Sequence, residues 1–235
     1  MAHSSNEKGS GTEKLLNTIH EVTDVYTGKH FVYTSGTHGH GYVNYRALKE
    51  SEHAFLLFRA GLSLWKKIIA TTDLDTHKPI VIVGPETLGA LMIKRLYGDF
   101  LNTFPNIHAI ELLKTGVDKE FIWEDNLVNI IDSKTQLVWF DDLLNRTSTL
   151  EATKPMIEAL GARIHTVAVI GDRSGKKASE IGVGNIVSLE RFSLTAYEKQ
   201  DCPLCNSTVP IVCNFGHGGK YRNEHPDYLG GFIDL

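Results

Sequence analysis

The segment Leu137-Val138-Trp139-Phe140-Asp141-Asp142 constrains the fold more than any other part of the chain. Four successive apolar residues leave no wet face, so the strand they form is covered on both sides, as in a parallel sheet. Two carboxylates end the run. Leu143 and Leu144 follow, then the polar Asn145-Arg146-Thr147-Ser148-Thr149, then a helical pattern over residues 147–160. Strand, acids, turn and helix in that order suit a ribose phosphate. The turn's backbone N–H groups and the helix start attract a phosphate. The carboxylates accept hydrogen bonds from a sugar's vicinal hydroxyls. Ligands of open α/β sheets bind at the carboxyl ends of strands, where these acids stand.

The rest of the chain alternates in the same style. Strands are expected at 79–83, 107–113, 136–140, 164–170 and 185–189, with helices at 12–25, 48–70, 86–97 and 147–160. Thr12 caps the first helix, Gly161 follows the last at C′, and Phe55, Phe58, Leu62 and Trp65 mark the apolar side of the second. Short strands at 30–34 and 41–44 flank a Ser-Gly-Thr-His turn, and residues 115–132 suit a hairpin or hood. Alternating strands and helices imply a parallel sheet with right-handed crossovers.

The 235 residues fit one α/β domain with additions, and 42% apolar residues fill its core. A net charge of −4 gives no reason to expect a nucleic-acid partner. No apolar run approaches the ~20 residues of a membrane helix, and the N-terminus has no signal pattern. Three cysteines are too few for a disulfide framework, which suits a cytoplasmic location. Residues 1–11, rich in Ser and Gly, read as a disordered tail.

Four segments, in order, resemble type I phosphoribosyltransferases, and more narrowly their orotate phosphoribosyltransferase-like branch. Residues 137–150 are similar to the family's motif for 5-phosphoribosyl 1-diphosphate (PRPP). His30-Phe31-Val32-Tyr33-Thr34-Ser35-Gly36-Thr37-His38-Gly39-His40-Gly41-Tyr42-Val43-Asn44 resembles the branch's N-terminal substrate segment. Val81-Ile82-Val83-Gly84-Pro85-Glu86-Thr87-Leu88-Gly89-Ala90 resembles its pyrophosphate loop, and Asp201-Cys202-Pro203-Leu204-Cys205 through Gly218 the tail of some bacterial members. Besides His38 and Val43, which replace a usual lysine and a usual aromatic, the chain departs from the family in two places that bear on PRPP. Its phosphate loop has no glycine, and only Lys114 and Lys119 remain in the segment of the basic catalytic loop.

The resemblance implies an α/β phosphoribosyltransferase fold, a parallel sheet flanked by helices, over residues 12–213. A small hood would come from 12–46 and C-terminal parts, and 214–235 would form a tail. It implies transfer of a phosphoribosyl group from PRPP to a nitrogenous base, orotate first, with release of pyrophosphate. The other readings are a different base, or a regulator that binds PRPP without turnover. Asp141, Asp142 and Lys114 would be catalytic. Asp141, Asp142, Asn145, Arg146, Thr147, Ser148, Thr149, Gly84, Pro85 and Glu86 would bind PRPP. His38, Tyr42 and Arg173 would contact the base, with Arg173 in an Asp-Arg pair that suits a carboxylate fork. Mg2+ would be held mainly through PRPP near Asp141 and Asp142, and a homodimer is implied. Cys202 and Cys205 allow a zinc site completed by Cys213 and His217, or simply loop thiols.

Overall fold

The computed structural model describes residues 11–115, 120–123 and 129–235. The expected disordered tail, Gly11 excepted, and Lys119 lie outside the described residues. Helix α1 (Gly11–Val22) leads into β1 (Asp24–Val32) and β2 (His38–Asn44). Two short 3-10 turns precede α2 (Ala54–Thr71). Then come β3 (Ile80–Pro85), α3 (Leu88–Asp99), β4 (Ile107–Lys114), β5 (Phe121–Trp123), β6 (Gln136–Leu144), α4 (Ser148–Glu158), β7 (Arg163–Asp172) and β8 (Asn185–Arg191). The chain ends with β9 (Ala196–Tyr197), α5 (Pro203–Asn206), β10 (Ile211–Val212), α6 (Gly218–Glu224) and β11 (Phe232–Ile233). Two compact units result. The first holds α1 and Arg46–Phe192, the second Thr23–Tyr45 with Ser193–Leu235.

The first unit is built on a six-stranded sheet in the order β5-β4-β3-β6-β7-β8. All neighbours run parallel except β5, which pairs antiparallel with β4 at the edge. Every residue of β3 is buried, and Leu137 to Phe140 of β6 are at most 1% exposed. This is the both-faces burial that unbroken apolar runs predict. Burying a side chain such as Phe140 contributes about 2–3 kcal/mol. From β3 the chain adds β4 on one side and later β6 on the other. That reversal opens a crevice at the carboxyl ends of β3 and β6, and the segments after those two strands flank it.

Helix α2 corrects one expectation. Phe55 is 65% exposed, and the buried stripe is Leu57, Ala60, Gly61, Leu64, Trp65 and Ile68. The stripe centres on Ala60 and Gly61 because α3 packs there: a Cβ on Gly61 would stand 3.2 Å from Met92 Cγ. Small residues allow the two helices to approach closely, which a row of aromatic rings would prevent.

The second unit carries a five-stranded sheet, β11-β10-β1-β2-β9. The β1–β2 pair is antiparallel, with a register shift between Thr27 and Phe31 where Gly28 takes φ +72°. Strand β10 lies parallel to β1, with Ile211 opposite His30. The segment expected as a tail at 214–235 contributes α6 and β11, so it is part of this unit's framework. The apolar core here is small: Val32, Ile211 and Tyr221, with Tyr228 and Phe232 against them.

Candidate active site

Three strand ends of the first unit converge on the crevice. Asp141 and Asp142 sit in the last part of β6, both half-buried, with Asp142 N–H donating to Asp141 Oδ1 at 2.9 Å. Burial, then the like charge of Asp142, holds the Asp141 carboxyl well above the usual carboxylate range. Burial also raises Asp142, against hydrogen bonds that favour its ionised form. The positive charge of Lys114, at the end of β4, opposes the rise at Asp141. Lys114 Nζ lies 5.1 Å from the Phe121 ring centre, and its backbone N–H donates to Glu86 Oε2 at 2.8 Å.

Glu86 belongs to the turn between β3 and α3, and its own N–H reaches Leu112 O at 2.8 Å. The Glu86–Thr87 peptide is cis. Two glycines make the turn tight. A Cβ at Gly84 would run into the Gly89 carbonyl, 2.5 Å from its carbon and 2.8 Å from Ala90 N. A Cβ at Gly89 would lie 2.5 Å from Phe140 O, so only glycine lets α3 start against the strand that carries the acids.

The segment after β6 reaches a left-handed bend without glycine. Thr147 takes φ 65° and is buried. Its hydroxyl donates to Glu151 Oε1 at 2.5 Å and accepts from Lys176 Nζ at 2.9 Å, and Lys176 lies 3.8 Å from Glu151. This triad holds a threonine where a β-branched residue is otherwise strained. Helix α4 begins at Ser148, and Glu151 N–H donates back to Thr147 O at 2.8 Å. The N–H groups of Ser148, Thr149 and Leu150 precede the first intrahelical bond, the position at which a helix start offers donors to an anion. Asn145 and Arg146 are exposed on the same bend.

Sequence reasoning missed Lys176 and Glu151. Lys176 follows a turn in which Asp172 Oδ1 accepts from Ser174 N–H (3.0 Å) and from Ser174 Oγ (2.7 Å). An Asp-x-Ser-Gly turn was the available signal. Removing the cation should leave Glu151 facing any phosphate bound at the bend. Lys176→Met is therefore expected to raise an anionic ligand's Kd or KM about tenfold or more with kcat little changed. Adding Glu151→Gln should recover most of that loss, and an unaltered KM in the single variant would remove Lys176 from the site.

Arg173 stands one residue beyond β7, half-buried, with its N–H on Leu144 O at 2.9 Å. In the second unit, Tyr42 packs with Phe31 and Phe215, ring centres 5.5 and 5.3 Å away. His38 is fully buried. Its Nδ1 meets His30 Nε2 at 2.9 Å and Cys205 Sγ at 3.3 Å, so that edge of the ring is engaged within the second unit. Burial, then the neighbouring His30, lowers its pKa to about 4. The zinc set expected from sequence also changes. His30 and His38 join Cys202 and Cys205, with the four ligand atoms within 4.8 Å of one another. Cys213 and His217 are not in that group: Cys213 Sγ lies 3.8 Å from Ile211 O, and His217 serves β1 through its backbone N–H. The reason is topological, since the β1–β2 pair supplies ligands that are distant in sequence from the cysteines.

No family model matches the chain. Among curated proteins, it is 23% identical over 207 residues to the orotate phosphoribosyltransferase of Caldanaerobacter subterraneus, spanning 85% of this chain and 95% of that one. Among solved structures, the orotate phosphoribosyltransferase of Francisella tularensis superposes with a TM-score of 0.53 at 13% identity, over 96% of this chain and 99% of that one. The adenine phosphoribosyltransferase of Trypanosoma brucei, in complex with AMP, pyrophosphate and ribose-5-phosphate, gives 0.52 at 14% identity, over 79% and 81%. The likenesses agree on the class: this chain has the type I phosphoribosyltransferase fold. Its curated relatives in sequence are orotate phosphoribosyltransferases.

Proposed function

We propose that this chain transfers the 5-phosphoribosyl group of PRPP to a ring nitrogen of a base, orotate first, and releases pyrophosphate. The observation that carries the reading is the half-buried Asp141–Asp142 pair, followed closely by the left-handed Thr147 and the start of α4, at the sheet's switch point. The reaction breaks the bond between the anomeric carbon and pyrophosphate and forms one to the base nitrogen. Positive charge builds at that carbon on the way, as in glycoside hydrolysis. Asp141 and Asp142 accept hydrogen bonds from the ribose hydroxyls and, ionised, stabilise that charge. Asn145, Arg146, Thr147, Ser148 and Thr149 hold the 5-phosphate. Gly84, Pro85 and Glu86 lie along the pyrophosphate, with Lys114 offsetting its charge. Arg173 forks the orotate carboxylate.

The acid pair offers hard oxygen donors, which fits Mg2+ held by Asp141 and Asp142 together with ligand oxygens and water. Held there, it would supply charge neutralisation for the leaving pyrophosphate. A homodimer belongs to the same proposal. A second reading, transfer to another base, is favoured by the withdrawal of His38 into the histidine–cysteine group. Incubation with PRPP, Mg2+ and a panel of bases, reading pyrophosphate and nucleotide, separates the readings. Orotidine monophosphate supports the first and a product with another base alone the second. Saturable PRPP binding with no product would exclude transfer.

The acid pair also sets a pH dependence. Its carboxyls titrate above the ordinary 3.8, so the native state keeps a proton that the unfolded chain has lost. The stability this gives is complete below 3.8 and disappears as pH rises through the raised titration. A cationic or hydroxyl-rich ligand prefers the ionised pair, so binding expels the proton. Calorimetry of Mg2+–PRPP binding in two buffers of different ionisation enthalpy should show net proton release in that window, diminished in Asp141→Asn. Equal release by the variant would refute the assignment to this pair.

A further inference from the structure

We propose that His30, His38, Cys202 and Cys205 bind one zinc ion in the second unit, through His30 Nε2, His38 Nδ1 and two thiolate sulfurs. The geometry is close to that of a bound tetrahedron. Zinc–sulfur bonds of about 2.3 Å and zinc–nitrogen bonds of about 2.05 Å require S···N edges near 3.6 Å and an N···N edge near 3.3 Å. The observed S···N separations are 3.8 Å (Cys202 to His30), 3.7 Å (Cys205 to His30) and 3.3 Å (Cys205 to His38). The two ring nitrogens are 2.9 Å apart, so an ion needs only a small outward shift of the rings.

The surroundings suit the ion. His30 Nδ1 is 2.9 Å from Val209 O, a carbonyl that can only accept. That bond fixes the proton on Nδ1 and aims the Nε2 lone pair at the cluster, as outer-shell partners of metal-bound histidines do. The short contact between the rings is then made by a proton on His38 Nδ1. On metal binding that proton moves to His38 Nε2, which is buried and has no hydrogen-bond partner among the described residues. The thiols release two protons to solvent. Two thiolates and two neutral imidazoles bring Zn2+ to zero net charge, the state that burial favours. An S2N2 tetrahedron selects Zn2+ over the hard ions that oxygen donors take.

The position gives the ion a structural task. Three of the four residues are buried and the fourth is half-buried, which suits a closed, structural site. His30 and His38 come from β1 and β2, while Cys202 immediately precedes α5 and Cys205 lies within it. A metal would clamp together two segments that share only a small apolar core, as compact modules with little to bury require.

The test uses the full chain, purified without chelators and kept reduced. Metal analysis should find about one zinc per chain, falling to less than about a tenth in Cys205→Ser and in His30→Ala, while Cys213→Ser and His217→Ala keep it. Should those variants fail to fold, cobalt substitution of the unaltered chain reads the same question. A tetrahedral site with two thiolates gives intense visible d–d bands and a sulfur-to-cobalt charge-transfer band. Absence of zinc with two free thiols, a Cys202–Cys205 disulfide by mass spectrometry, another native metal, or zinc retained in Cys205→Ser would each overturn the assignment. None of these outcomes depends on transferase activity.

Discussion

Asp142→Asn is expected to lower kcat/KM for phosphoribosyl transfer by about a thousandfold, near 4 kcal/mol of transition-state stabilisation, and to leave Tm equal or higher. The two halves of this result have one cause. Asp141 and Asp142 are carboxyls that burial and, at Asp141, mutual repulsion make costly to ionise. An amide removes the like charge and keeps the shape, so the fold loses nothing and sheds a repulsion. The transition state loses the negative charge that balances the anomeric carbon. A side chain with a purely structural role would give the opposite pattern, a lower Tm with activity reduced in proportion to the folded fraction. Steady-state kinetics and a thermal melt of the same sample decide the matter, and wild-type turnover in the variant would remove the acid pair from the mechanism.

Gly84→Ala should be the most damaging single methyl group near the crevice. The added carbon would meet backbone, the Gly89 carbonyl and Ala90 N, and neither can rotate away as a side chain would. Overpacking of this kind costs about 1–3 kcal/mol, or a fall of roughly 2–12 °C in Tm for a chain of this size. The displaced turn also carries Glu86, whose carboxylate ties Lys114 to the β3 end, so pyrophosphate contacts should weaken with it. The contrasting variant is Gly175→Ala, which meets no atom within 4 Å although its φ is +65°. It should cost only the backbone strain of a left-handed alanine, about 1 kcal/mol. Equal Tm values for the two variants would mean that the turn after β3 gives way more easily than its packing indicates.

Much of the first unit was legible because its physics is local. Strand β6 is covered on both faces, and that condition is written directly as Leu137 to Phe140. The acids come next in sequence, and Gly84 and Gly89 sit where backbone must pass backbone. The remainder was hidden because its partners are far apart. Lys176 reaches Thr147 through a turn whose direction no periodicity encodes. The buried face of α2 is chosen by the helix it meets, so Gly61 counts for more than Phe55. In the second unit, β9, β10 and β11 have two residues each, too few for an alternating pattern. Without them, Cys202 and Cys205 have no visible route to His30, and the nearer Cys213 and His217 look like better company.

The second unit's discontinuity bears on how a ribosome delivers this protein. Strands β1 and β2 are translated early, yet their sheet neighbours β9 and β10 lie beyond residue 192. At usual elongation rates of about 5–20 residues per second, the early hairpin waits roughly ten to thirty seconds for those neighbours, its hydrogen-bonding edges uncovered. The nascent chain is thus expected to engage holdase chaperones through residues 24–44 during that interval. Crosslinking of stalled chains should show that contact vanish once the C-terminal segment has left the exit tunnel.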